Sequence, residues 1–250
     1  MIEAEHIEAI EHLIRSILYQ MVFIPVTLTI GIVCLPLLIT RSPFLKFGLP
    51  YSWSWIALKL QKYILGLDYR VKSHVKIPKH RAVFAVKHQS AWETIALWHI
   101  LDKPVFVLKK ELLNIPIFGW YLRRADNIVI DRKSGQKAIG QIIEQSMKYL
   151  SEDRIIVIFP EGTRTKAGEQ VRYKQGISNL YEALVPPIYP IALNSGAFWG
   201  RNSFIRRSGT VDVEIMPPMP FDLSKKEFMQ ELQTTIETVS AKLLHSADLY

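Results

Sequence analysis

The chain has 250 residues, 49% of them hydrophobic, a formal net charge of +8 and a single cysteine, Cys34. That is enough chain for one large or two small domains with a sizeable core; one cysteine excludes a disulfide framework and a thiolate metal cluster, and the 7 histidines show no metal-ligand spacing. The charge favours anionic partners, but its carriers are scattered pairs such as Lys109-Lys110, Arg123-Arg124 and Arg206-Arg207, with no nucleic-acid motif, so no nucleic-acid partner is expected.

The first predicted element is apolar. Ser16 to Thr40 carries no charge over 25 residues, long enough for a membrane helix of about 20 residues. The segment before it holds Glu3, Glu5, Glu8 and Glu11 instead of a basic cluster, and no small-residue cleavage site follows, so it does not read as a signal peptide. Pro25, Gly31 and Pro36 interrupt the run, which predicts kinks. Pro50 to Leu67 combines Tyr51, Trp53, Trp55 and Tyr63 with Lys59 and Lys62, a pattern of the bilayer interface and equally of an amphipathic core helix. Arg41, Lys46, Lys59 and Lys62 follow the first segment and only Arg15 precedes it within reach, which places the remaining chain on the cytoplasmic side. Residues 1–67 are therefore predicted to be membrane-associating helices.

From residue 68 to 250 the pattern is globular. Apolar, β-rich runs fall at Ala82–Val86, Val105–Leu108, Asn127–Ile130, Ile155–Phe159, Ile188–Leu193 and Val211–Met216. Helical patterns fall at Thr94–Leu101, Glu111–Arg124, Ser134–Ser151 and Ser224–Ser246. The alternation predicts an α/β fold, one domain with a largely parallel sheet flanked by helices.

Two short motifs follow strands of that domain. After Ala82–Val86 comes KHQSAWET, residues 87–94, with His88 five positions before Glu93. Five residues on one helix would set the two side chains about 140° apart, so they meet only if His88 lies in a strand-to-helix turn and Glu93 in the first helical turn. This layout allows it; the similarly spaced His6 and Glu11 have no preceding strand. Ser90 and Glu93 also match a capping box, which explains the same residues without chemistry. With 7 histidines and 23 acidic residues, about one such spacing arises by chance. After Ile155–Phe159 comes a turn, Pro160-Glu161-Gly162-Thr163-Arg164. It sets a carboxylate, a hydroxyl and a guanidinium at the carboxyl end of a buried strand, where open α/β sheets bind ligands; Arg164 can take a phosphate through two N–H bonds.

HQSAWE together with FPEGTR resembles the glycerophospholipid acyltransferase family, and within it the 1-acylglycerol-3-phosphate acyltransferases of bacterial type. That family pairs a His-x4-Asp motif with Phe-Pro-Glu-Gly-Thr-Arg, and all six residues of the latter stand at Phe159 to Arg164. KKELLNIPIFGWYLRR at 109–124, IDR at 130–132 and IYPIALNS at 188–195 match its other blocks. Glu93 stands where the family has aspartate, and Lys87 where asparagine often precedes the histidine.

The resemblance implies that His88 is a general base oriented by Glu93. It implies an acceptor site from Glu161, Gly162, Thr163 and Arg164, with Arg132 and Lys109 as further phosphate contacts. The implied reaction moves a fatty acyl group from acyl-CoA or acyl carrier protein, as co-substrate with no cofactor, to the sn-2 hydroxyl of lysophosphatidic acid, giving phosphatidic acid. The implied partners are lysophosphatidic acid, the thioester donor and a lipid bilayer, with the bacterial inner membrane as the expected location. An acyltransferase for another lysolipid, such as a lyso-ornithine lipid or lysophospholipid, and a non-catalytic membrane lipid-binding protein are the alternatives.

Overall fold

In the computed structural model the described residues are 2–40, 42–131, 134–183 and 186–247. The chain opens with α1 (Ile2–Val33), a helix of 32 residues that keeps Pro25 inside it. After the Cys34–Pro36 turn come the short α2 (Leu37–Thr40) and a 3₁₀ turn at Pro43–Leu45. Then α3 (Gly48–Leu60) continues as a π-helical turn to Leu65 and stops at Gly66, whose φ of +68° suits a residue without Cβ.

The rest alternates. In chain order the elements are β1 (Leu67–Ser73), β2 (Ala82–Val86), α4 (Trp92–Ile100), β3 (Pro104–Lys109), α5 (Phe118–Arg124), β4 (Asn127–Ile130), α6 (Gln136–Ser151), β5 (Ile155–Ile158), α7 (Gly176–Ala183), β6 (Ile188–Leu193), α8 (Ser195–Phe198), β7 (Gly209–Ile215) and α9 (Lys225–His245). The sheet has seven strands in the order β1-β7-β6-β2-β5-β3-β4. All pairings are parallel except β6 with β7. The largely parallel α/β sheet flanked by helices is therefore present.

Its central strands are apolar on both faces, as a doubly covered parallel sheet requires. In β2, Phe84 and Val86 enter one core layer, with Trp92, Ile95, Leu97 and Phe198. Val83 and Ala85 enter the other, with Ile142, Leu150, Ile177, Phe228 and Ile236. The N-terminal helices join the first layer: Tyr19 of α1 and Ala57 of α3 are buried in it. Ser16 of α1 also accepts the Arg206 N–H at 2.9 Å, so residues 1–67 and the α/β domain share one core.

The opposite side of α1 is bare. His6–Val33 has a mean hydropathy of 1.9 in its most apolar window, and 17% of that window is buried. It is long and apolar enough to cross a membrane by length and composition. On α3 and its extension, Leu49 and Ala57 face the core while Trp55 and Tyr63 are exposed, with Lys59 within 6 Å of both rings (5.7 and 5.9 Å). The two expectations for that stretch describe its two faces.

Three sequence expectations shift. Glu111–Arg124 is not one helix but a 3₁₀ turn at Lys110–Asn114 followed by α5. Pro116 disfavours helix at Ile115, and Ile117 takes φ +64°. The strand β1 and the short helix α7 were not expected.

Candidate active site

The site is built where β2 and β5 end side by side. They pair in parallel with Ala85 opposite Ile158, so the chain leaving β2 at Lys87-His88 runs beside the chain leaving β5 at Phe159-Pro160. The main chain of His88 is tied to that neighbour at both ends. Its N–H donates to Glu161 Oε2 at 2.6 Å, and its carbonyl accepts the Thr165 N–H at 2.8 Å. The ring stacks on Phe159, centroids 3.9 Å apart. Gly162 takes φ +71° in this turn, a conformation that disfavours any Cβ.

His88 sits in the strand-to-helix turn and Glu93 in the first turn of α4, and they meet: His88 Nδ1 lies 2.8 Å from Glu93 Oε1. A carboxylate only accepts, so Nδ1 carries a proton, and in the neutral ring the lone pair is then on Nε2. The same Oε1 accepts the N–H groups of Gln89 (2.7 Å) and Ser90 (2.8 Å). Orientation of the imidazole and capping of the helix are thus done by one oxygen. The other, Oε2, accepts the Ser195 hydroxyl at 2.9 Å. Four donors compensate the desolvation of a carboxylate that is fully buried. The capping box is half formed: Glu93 reaches back to the Ser90 N–H, but Ser90 Oγ accepts from Trp92, at 3.1 Å.

His88 faces a cavity of about 1200 Å³. Its apolar end is made by Thr27, Leu28 and Gly31 of α1, Leu49 and Trp53 of α3, and Ile115, Ile117 and Tyr121 around α5. The wall also includes Gly162, Thr163, Arg164, Lys109, Lys174 and Arg201; the described lining includes no aspartate or glutamate. Arg164 Nη2 lies 3.5 Å from Asn202 Oδ1, an amide oxygen and not a carboxylate. The wall combines apolar surface, fixed cations and one imidazole, which suits an amphiphilic anion.

Of the predicted site residues, His88, Gly162, Thr163, Arg164 and Lys109 line this cavity together. Glu161 does not. It is 1% exposed, and its oxygens are taken by the His88 N–H, by Lys87 Nζ at 2.7 Å and by Thr165 Oγ1 at 3.1 Å. From behind the cavity wall Glu161 shapes the turn. Burial pushes its carboxyl above the ordinary value, against the pull of Lys87. Arg132 lies outside the described residues. Ser195 and Gln89 were missed as site residues. Gln89 Oε1 accepts the Gly196 N–H at 3.1 Å, and a Cβ on Gly196 would meet Gln89 Cβ at 2.9 Å. Ser195 stands inside the IYPIALNS block, the one signal that pointed toward it.

An imidazole–carboxylate pair on the wall of a cavity with apolar and cationic lining, at the carboxyl edge of a parallel sheet, has the parts of a group-transfer enzyme for lipid-like substrates. Comparison with known proteins gives the family. The acyltransferase family model matches residues 68–194. The 1-acyl-sn-glycerol-3-phosphate acyltransferase of Pseudomonas aeruginosa is 34% identical over 183 residues, 71% of each chain. The enzyme of the same name from Escherichia coli is 28% identical over 169 residues, 67% of this chain and 68% of that one. The crystal structure of the 1-acyl-sn-glycerophosphate acyltransferase from Thermotoga maritima superposes with a TM-score of 0.74 at 20% identity, covering 93% of this chain and 97% of that one; at that identity the likeness is one of fold. The chain belongs to the acyltransferase family, among the members of bacterial 1-acylglycerol-3-phosphate acyltransferase type.

Proposed function

We propose that the protein transfers a fatty acyl group from an acyl thioester, acyl-CoA or acyl carrier protein, to the sn-2 hydroxyl of lysophosphatidic acid, giving phosphatidic acid at a membrane. The observation that carries it is the His88 Nδ1–Glu93 contact of 2.8 Å at the head of a cavity with both apolar and cationic walls.

The acceptor hydroxyl approaches His88 Nε2, which removes its proton as the oxygen attacks the thioester carbonyl. Glu93 fixes the tautomer and stabilises the imidazolium that forms. The tetrahedral intermediate collapses, the carbon–sulfur bond breaks, and the thiolate leaves with the imidazolium proton. A thiolate leaves readily, so the chain need supply no acyl-carrying nucleophile; the thioester is a substrate, and no cofactor takes part. Arg164 and Lys109 hold the acceptor phosphate, Gly162 and Thr163 form the wall beside it, and the apolar end holds acyl chain. Arg132 follows β4 and is a further phosphate contact in this reading.

The bare face of α1 and the exposed rings of Trp55 and Tyr63 rest in the bilayer, so acyl chains enter and leave the cavity from lipid. In this reading the site faces the cytoplasm at the bacterial inner membrane, supported by the excess of lysine and arginine after the first apolar segment. Thiol release from acyl-CoA or acyl carrier protein, assayed with and without lysophosphatidic acid, tests the reading. Release that depends on that acceptor supports it. Equal release with a lysolipid lacking a terminal phosphate monoester would replace the acceptor, and no release with any lysolipid would leave a lipid-binding protein.

A further inference from the structure

Below His88 the core holds charge that the transfer steps do not use. Lys87 is 1% exposed, and its Nζ meets Glu161 Oε1 at 2.7 Å and Glu237 at 2.7 and 2.9 Å. The Glu169 carbonyl lies at 3.4 Å. Glu237 belongs to α9, and its Oε1 also accepts the Tyr173 hydroxyl at 2.9 Å. Glu161 closes the chain on the other side, where Oε2 takes the His88 N–H at 2.6 Å. Neither Lys87, Glu161 nor Glu237 lines the cavity.

Lysine is among the residue types least often buried. A buried ion pair is no general device for stability, since an apolar replacement of similar volume often folds as well. What this cluster supplies instead is aim. One Glu161 oxygen is placed on the His88 main chain because the other is held by an ammonium, and that ammonium is held from behind by α9. We propose that Lys87 is a positioning residue for His88: its ammonium, braced by Glu237, draws the Glu161 carboxylate to the point where it takes the His88 N–H and fixes the turn that carries the base. The inference rests on the acyl-transfer reading, because turnover is what the base performs. Displacing a base by a fraction of an ångström penalises the reacting geometry more than it does substrate binding.

Steady-state kinetics on the full chain in lipid or detergent test this, with Lys87→Met, Glu161→Gln, their double variant and Tyr173→Phe. The last disturbs the same buried cluster from the α9 side and leaves the Lys87–Glu161 contact in place. Lys87→Met is expected to lose at least about tenfold in kcat, with KM for both substrates within about threefold of wild type. Tyr173→Phe is expected to lower Tm while kcat stays within about threefold. Adding Lys87→Met to Glu161→Gln is expected to cost less than about threefold more, because both act through one N–H. The proposal is overturned by a folded Lys87→Met with kcat within about threefold of wild type, by a kcat that follows Tm through Tyr173→Phe as well, or by losses that multiply in the double variant. Should Lys87→Met not fold, Lys87→Gln, neutral but still a donor, is read the same way; failure of both to fold would assign Lys87 to folding alone and overturn the role in positioning. A wild-type chain with no turnover would remove the acyl-transfer reading itself, which these outcomes do not touch.

Discussion

Glu93 accepts three donors on one oxygen, His88, Gln89 and Ser90, and one on the other, Ser195. Glutamine can reproduce most of this. Its carbonyl oxygen can take the same three donors, and its amide can donate to a rotated Ser195 hydroxyl. Glu93→Gln therefore removes the charge and little else. If Glu93 only capped α4, the change would be nearly harmless. With Glu93 supporting an imidazolium, kcat is expected to fall at least about tenfold, and circular dichroism to stay unchanged. Glu93→Asp keeps the charge but draws it back by one methylene from a turn built for the longer side chain; partial activity is expected. Arg164 lines the cavity, 3.5 Å from the Asn202 amide oxygen. Arg164→Ala is expected to weaken the phosphorylated acceptor by about 1.5–3 kcal/mol, the worth of a charge-assisted bidentate contact, and to leave donor KM unchanged. Equal losses for acceptors with and without the phosphate would give Arg164 another part.

At the scale of elements, the α3–α4 junction has a titrating group of its own. His99 of α4 contacts Ser54 of α3 at 2.9 Å and packs against the Tyr51 ring, centroids 4.3 Å apart and tilted by 45°. Burial holds His99 below its ordinary value of 6.5, with the Tyr51 backbone pulling the other way. The folded state therefore favours neutral His99 more than the unfolded state does. The stability this gives is fully present above pH about 6.5 and is lost as pH falls through the lowered folded-state value. His99 is half-buried, so the effect is modest. Tm of wild type is expected to drop more steeply than that of His99→Gln between pH about 7 and about 5; parallel curves would remove His99 from the acid sensitivity.

The elements also show what could be read in advance. Ala82–Val86 and Ile155–Ile158 were legible because a strand buried on both faces is a continuous apolar run. Edge strand β1, LDYRVKS, was not: only Leu67 in it is fully buried, and four of its residues are polar or charged. His88 with Glu93 was legible because five residues of turn and helix hold both. Ser195 lies 102 positions from Glu93, and Glu237 lies 150 from Lys87. Those contacts depend on strand order, and no local pattern reports that β5 and β6 flank β2.

Across the whole molecule, the cavity links the chemistry to the N-terminal helices. Its wall runs from His88 to Thr27, Leu28 and Gly31 of α1. Along its length α1 also exposes Ile10, Ile14 and Met21, apolar surface of the kind that marks a membrane or protein contact. The full chain is expected to co-sediment with phospholipid vesicles and to stay with them at high salt, which screens charge but not apolar burial. A chain that remains in the supernatant without detergent would contradict the membrane placement.

The central claim is that His88 is the base, poised by Glu93 on the cavity wall. The most direct measurement is kcat for thiol release from acyl-CoA in the presence of lysophosphatidic acid, compared between wild type and a folded His88→Ala chain. The turn that holds residue 88 is tied through main-chain groups, Glu161 to its N–H and Thr165 to its carbonyl, so the variant is expected to keep the fold. Loss of a general base predicts a fall of about 10²–10⁴-fold in kcat. A kcat within about threefold of wild type, on folded protein, would contradict the assignment.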